Sequence, residues 1–320
     1  MKISVAICTF NGEKYLKEQI DSILNQTLKV NEIIVCDDQS TDTTIAILED
    51  YSQKNTGLFK IFKNHVNLRS VKNFEKATSL CTGDIIFLSD QDDSWLPEKV
   101  ADIIRYFELN PSINVVSTNG HCMDDNSEII DEFTVWDVPQ LFIDNNVKFD
   151  YYTSISYFFN IATGATMALK KSFLAECLPF PIIPNFHHDE WLARVSSSKN
   201  QFAFLTKKYI KYRIHDAQQV GGIIYKLDKG DKKQLLNLLD LNNYEIKFYQ
   251  FKIKIKRLCN AYYLMKNIAN IDLNNSLFNK NINEIKLLVQ NYKLAMKNKY
   301  PIRSFFLSIS DKILNKRQLN

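Results

Sequence analysis

The stretch DIIFLSDQDDSWLPEKV (84–100) decides the fold. An apolar run leads into three aspartates, Asp90, Asp92 and Asp93, and Pro97 then opens a helix. Ile85, Ile86, Phe87 and Leu88 do not alternate with polar residues, the pattern of a strand covered on both faces. Proline in a first helical turn loses no hydrogen bond, so a helix follows over 98–109. The same order recurs upstream. ISVAIC (3–8) precedes Asn11-Gly12 and a helix within 13–26, where Leu16, Ile20, Ile23 and Leu24 share a face. EIIVCD (32–37) precedes a helix capped by Ser40 or Thr41. LFKIF (58–62), a helix over 70–81 and INVVSTN (113–119) continue the rhythm. Repeated β-α-β units predict an α/β fold, a Rossmann-like, doubly wound, mostly parallel sheet.

After residue 120 the rhythm changes. A hairpin is expected around Asp124–Asn126, a strand over 162–169 and a helix over 187–198. FAFLTKKYIKYRIH (202–215) holds separate strand-like pieces, and 226–320 reads as lysine- and asparagine-rich helix. Residues 1–225 hold 21 Lys+Arg against 29 Asp+Glu, net −8, whereas 226–320 hold 19 against 7, net +12. The asymmetry suggests two functional parts, 1–225 and a basic helical region, 226–320.

At 45% hydrophobic and 24% charged residues, the 320-residue chain can bury a sizeable core. No apolar run reaches the roughly 18–20 residues of a membrane span. MKISVAICTFNG reads as a first strand rather than a signal peptide, so the expected location is the cytoplasm. The six cysteines have no metal-binding spacing and read as buried thiols.

In a parallel α/β sheet, ligands bind where loops gather at the carboxyl ends of the strands. Here those loops read Thr9-Phe10-Asn11-Gly12, Asp37-Asp38-Gln39-Ser40 and Asp90-Gln91-Asp92-Asp93. Neither the dinucleotide fingerprint nor the P-loop pattern is present. Clustered carboxylates repel unless a cation neutralises them. A hard divalent ion, Mg2+ or Mn2+, is the natural partner, and such ions bind substrate phosphates. Turn and cap chemistry accounts equally well for Asp37 and Asp38. It accounts poorly for three aspartates together, since one cap needs one carboxylate.

ISVAICTFNGEKYLKEQIDSILNQT, EIIVCDDQSTDTT and GDIIFLSDQDDSWLPEKV, in this order, resemble the family 2 glycosyltransferases of GT-A fold. The likeness spans about residues 1–120, with weaker support to about 220, and implies a catalytic domain over 1–225, with 1–120 its nucleotide-sugar half and 121–225 its acceptor half. It implies a nucleotide-sugar donor, a divalent metal and inversion at the sugar carbon. SDQDDSWLPEKV and NLRSVKNFEKA are most similar to rhamnosyltransferase-like enzymes of bacterial surface-polysaccharide assembly. By this resemblance Thr9 and Phe10 line the nucleotide pocket. Asp38, with Asp37 as second choice, accepts from the pyrimidine, and Lys72 falls where many members carry arginine. Asp90-x-Asp92 matches the DxD motif, with Asp90 toward the ribose and Asp92 on the metal. Asp93 replaces or assists Asp92. His215 reaches the metal or diphosphate, and Arg213 is a further diphosphate contact. HHDEWLA (187–193) resembles the acceptor-side acidic motif, making Asp189 the base and Glu190 the second choice. Without the family, both read as carboxylates favourable to a helix N-terminus. The QxxRW pattern of processive members is missing, which points to addition of one sugar.

The expected partners are therefore a nucleotide sugar and a glycan or lipid-linked acceptor. The basic region 226–320, with segments such as KFYQFKIKIKRLCNAYYLMK (247–266), is either a helical appendage with solvated lysines or a contact with the anionic inner face of the cell membrane. No recognition motif supports nucleic-acid binding. Two alternatives are a sugar nucleotidyltransferase and a non-catalytic glycan-binding protein on a degenerate GT-A fold. The first normally opens with a glycine-rich basic turn, which CTFNGEKY lacks.

Overall fold

The computed structural model describes residues 1–216, 224–225, 229–270, 275–314 and 316–319. Its strands are β1 (Ile3–Thr9), β2 (Glu32–Asp37), β3 (Phe59–Lys63), β4 (Ile85–Ser89), β5 (Ser94–Trp95), β6 (Val115–Met123), β7 (Ile129–Ile130), β8 (Phe133–Thr134), β9 (Ala168–Lys170), β10 (Phe202–Arg213) and β11 (Ile224–Tyr225). Its helices are α1 (Leu16–Leu24), α2 (Thr44–Lys54), α3 (Arg69–Leu80), α4 (Lys99–Leu109), α5 (Val138–Asp144), α6 (Tyr151–Tyr157), α7 (Lys171–Leu174), α8 (His188–Ser198), α9 (Lys229–Leu239), α10 (Phe248–Ala269), α11 (Asn275–Lys299) and α12 (Pro301–Ile313).

The chain divides into two compact units, Met1–Val147 with Ile161–Lys226, and Lys148–Asn160 with Leu227–Asn320. Residues Lys148–Asn160, which the sequence reading assigns to the acceptor half, group instead with the C-terminal helices. In the first unit the sheet runs β3-β2-β1-β4-β9-β6-β10-β5. The neighbours β3, β2, β1 and β4 are parallel, as are β6 and β10. Only the short β5, β7 and β9 run antiparallel to their partners. The apolar runs of β1, β2 and β4 are buried throughout, as non-alternating strands should be.

Three local expectations are corrected. Helix α2 begins at Thr44, because the Ser40 hydroxyl is spent on Asp37 and Asp42 instead accepts from the Thr44 N–H at 3.0 Å. Residues 162–169 are not one strand: Gly164–Thr166 form a 3-10 turn and only Ala168–Lys170 pair, antiparallel, between β4 and β6. FAFLTKKYIKYRIH is a single strand to Arg213, with register breaks around Lys208. Such bulges bend a strand and re-aim its end. The hairpin expected at 124–126 is present, β6 turning into β7 with the Ser127 N–H on the Asp124 carbonyl at 3.1 Å. The glycine-containing turn expected after Asp216 lies outside the described residues.

In the second unit α10 buries one face and leaves Tyr249, Ile253, Lys256, Tyr263 and Lys266 exposed. Phe251, Ile255, Leu258, Tyr262 and Met265 are buried, packed on α11 and α6. Lys254 is buried among them, its Nζ donating to the Asp240 carbonyl at 2.5 Å and the Tyr292 hydroxyl at 3.1 Å. Burial pushes this ammonium down to about 8. Among the described residues no helix is long and apolar enough to cross a membrane.

Candidate active site

The carboxyl ends of β1, β2 and β4 place three loops side by side. In the β2 loop, Asp37 accepts from the Thr9 hydroxyl at 2.8 Å and from the Ser40 N–H and hydroxyl at 2.9 and 2.5 Å. Both Asp37 oxygens serve the turn. Asp38 is also buried. It accepts from Asn64 at 2.8 Å and from the Leu68 and Arg69 N–H groups at 2.7 and 2.8 Å, anchoring the start of α3. A carboxylate holds about four acceptor positions, so Asp38 keeps room for one more donor. Lys72, on α3, pairs with Glu75 at 2.7 Å.

The β1 and β4 loops are fastened together by a residue that motif reading passes over. Gln91 accepts from the Phe10 N–H at 2.8 Å and donates to the Phe10 carbonyl at 3.0 Å. A Cβ on Gly12 would stand 2.3 Å from the Gln91 Oε1, so glycine there makes room for the clasp. Phe10 is left 44% exposed beside this loop, an open aromatic face.

The acidic loop is crowded. Asp93 is buried, with Oδ1 accepting the Arg213 N–H at 3.0 Å and Oδ2 unpaired. Burial and the Asp92 and Asp90 charges push it well above the usual carboxylate range. Burial, Asp92 and Asp189 push Asp90 up to about 7. Opposing them is Lys99, given no role by the sequence reading, which is fully buried at the start of α4. Its Nζ donates to the Ala165 carbonyl at 2.8 Å and lies 3.8 Å from the Trp95 ring centroid. Burial pulls it down to about 7 against the pull of Asp93 and Asp90.

Arg213 is a scaffold, not a diphosphate contact. Its side chain is fully buried, with Nε on the Asp92 carbonyl at 2.8 Å and Nη1 on the Asp124 carbonyl and Ser127 hydroxyl at 2.9 and 3.0 Å. Nη2 meets Glu18 at 2.5 Å, and the guanidinium lies 4.3 Å from the Tyr15 ring centroid. Two residues on, the His215 Nε2 is 3.0 Å from the Asp92 Oδ2, and its ring tilts against Tyr15. The structure thus brings together two of the three residues expected on a metal, Asp92 and His215. The third, Asp93, adjoins Asp92 in the chain and supplies the unpaired oxygen. Among the described residues no group of three His, Cys, Asp or Glu side chains is arranged to hold an ion unaided.

From the other side comes α8. Asp189, in its first turn, accepts from the Gly164 N–H at 3.0 Å and the Glu190 N–H at 2.6 Å. Burial raises it to about 6. Its charge helps to raise Asp90, so the two carboxylates lie within electrostatic reach of each other. Glu190 is instead locked to the buried Arg194, Nε at 3.0 Å and Nη2 at 2.5 Å, which removes it as the alternative base. His188 is buried and stacked 4.0 Å from Phe74, with both ring nitrogens unpaired. Burial pulls it down to about 3, so it is neutral packing. A Cβ on Gly164 would come within 2.8 Å of this ring. Trp95 and Trp191 are also packing residues, both buried. A cavity of about 300 Å3 beside Thr82, Asp84 and Lys171 lies at the opposite, amino-terminal end of β4.

Carboxylates raised in the fold bind protons more tightly there than in the unfolded chain. Their stabilisation is present at low pH and lost as pH rises through the folded values, toward 7 for Asp90. Thermal unfolding in chelator should therefore show Tm falling as pH rises toward neutrality. Asp93→Asn, which keeps the acceptor for Arg213 and removes a charge, should raise neutral-pH Tm by roughly 2–4 °C. A Tm flat with pH and unchanged in this variant would show the repulsion to be relieved elsewhere. Arg213→Lys keeps the charge but loses the fork, and should cost about 2–4 kcal/mol in denaturant unfolding.

A family model described as Glycosyl transferase family 2 matches residues 4–177. An uncharacterized glycosyltransferase of Methanocaldococcus jannaschii is 30% identical over 217 residues, covering 66% of this chain and 70% of its own. The dTDP-rhamnosyl transferase RfbG of Shigella flexneri is 29% identical over 233 residues, covering 68% and 74%. Among solved structures, S. aureus TarS (1–349) with UDP-GlcNAc is similar at TM-score 0.52 and 17% identity, covering 92% of both chains. GalNAc-T7 with UDP, GalNAc and Mn2+ is similar at TM-score 0.54 and 15% identity, covering 75% of this chain and 48% of its own. These likenesses fix the fold as GT-A, as the motifs imply. The chain belongs to glycosyl transferase family 2.

Proposed function

We propose that this glycosyltransferase moves one sugar from a UDP- or dTDP-linked donor to a hydroxyl of a glycan or lipid-linked acceptor, with inversion, in surface-polysaccharide assembly. The observation that carries the reading is the approach of Asp189 to the acidic loop. A single carboxylate raised to about 6 is poised to take a proton near neutral pH. With Glu190 paired to Arg194, one base remains on the acceptor side. One base suits a single displacement, in which the acceptor hydroxyl loses its proton to Asp189 as its oxygen attacks the sugar carbon.

On the donor side, Phe10 offers a stacking face and Asp38 a buried acceptor for the base. The dTDP donor of the Shigella relative supports this donor class. Asp92 and His215, 3.0 Å apart, are the residues that would hold a hard divalent ion, Mn2+ or Mg2+, with a diphosphate filling its other positions and Asp93 the neighbouring carboxylate. Bound there, the ion supplies positive charge to the leaving diphosphate. Lys99 offsets part of the remaining negative charge from beneath.

Asp189→Asn should retain donor binding in calorimetry and lose transfer by about 10²–10⁴-fold. In the unaltered enzyme kcat/KM should fall as pH drops through about 6, because protonated Asp189 cannot accept a proton. Near-normal turnover in the variant would move the base elsewhere. Asp92→Asn should abolish Mn2+-dependent binding of UDP and dTDP, and retained affinity would refute the metal assignment. A donor screen reading nucleotide release across UDP- and dTDP-sugars separates the donors.

A further inference from the structure

Helix α12 turns its apolar side outward. Ile302, Phe305, Phe306, Ile309 and Ile313 recur at i, i+3, i+4, i+7 and i+11, so they form one stripe. Such a stripe normally faces a core, yet these residues are 73, 62, 65, 42 and 76% exposed. The opposite side, with Ser304 buried and Leu307 and Asp311 half-buried, is the one turned inward. A contiguous apolar patch of this kind marks an interaction surface.

The charge around the stripe says what it meets. Arg303 and Lys312 flank it on the helix, and Lys297 and Lys316, both exposed, lie just before and after. Residues 285–320 contain eight lysines and arginines against one acid, Asp311, which Arg317 pairs. A second copy docked through a two-fold axis would set these like charges against each other. An anionic bilayer satisfies both features, taking the aromatic and aliphatic stripe into the headgroup boundary and the cations at the phosphates. We propose that α12 is an interfacial helix that docks the chain on anionic lipid. This assignment stands apart from the sugar-transfer chemistry, and narrows the membrane contact expected of 226–320 to one helix.

The test is flotation of the full chain with phosphatidylcholine vesicles carrying about one-third phosphatidylglycerol, and with phosphatidylcholine alone. Flotation is expected with the first and not the second, and should weaken as salt rises. Phe305→Ser with Phe306→Ser should lower the bound fraction at least about tenfold. Lys312→Glu should lower it about fivefold or more. All three positions are exposed, and circular dichroism checks that the fold is retained. Absence of flotation, or equal flotation of the Phe305→Ser/Phe306→Ser variant, overturns the proposal. So does a dimer seen by sedimentation that the same variant dissolves, which would assign the stripe to a second copy.

Discussion

One buried guanidinium holds the candidate site in shape. Arg213 ends the long strand β10 and spends its donors on the acidic loop, the β6–β7 turn and α1. Its own N–H holds Asp93. A cation buried this deeply is tolerable only when paired and fully hydrogen-bonded. In return it fastens four segments that are distant in sequence, and it sets His215 two residues further on, against Asp92. The bulges in β10 matter for the same reason: they bend the strand that delivers both residues.

A second tie joins the two sides of the site. The turn Gly164–Thr166 receives Lys99 on the Ala165 carbonyl and gives the Gly164 N–H to Asp189. One short turn thereby positions a cation beneath the acidic loop and a carboxylate opposite it. The raised position of Asp189 follows mainly from burial, and burial follows from the close fit of Gly164 over His188. Packing, hydrogen bonding and acidity are here consequences of one local geometry.

The parallel sheet was legible because strands buried on both faces carry unbroken apolar runs, as in β1, β2 and β4. The acidic loop and Asp189 were legible as motifs, since three neighbouring like charges have few structural uses. Arg213 was misread because its partners, Glu18, Asp124 and Ser127, come from elsewhere in the chain and leave no local signal. Lys99 was missed because nothing beside it says that it is buried. Glu190 was read as a candidate base, although Arg194 one turn later was a visible partner. The strand expected over 162–169 failed at Gly164, where a close approach to His188 replaces extension. For α12 the periodicity was present but silent on direction: spacing defines a stripe and does not say whether protein or something else covers it.

The clasp between Gln91 and Phe10 has an evolutionary reading. Because the Gln91 amide occupies the space a side chain at position 12 would take, the two positions are not free to vary separately. A larger residue at 12 would push the Gln91 amide aside and open the clasp on Phe10, so the loops of the first and fourth strands would lose the contact that joins them.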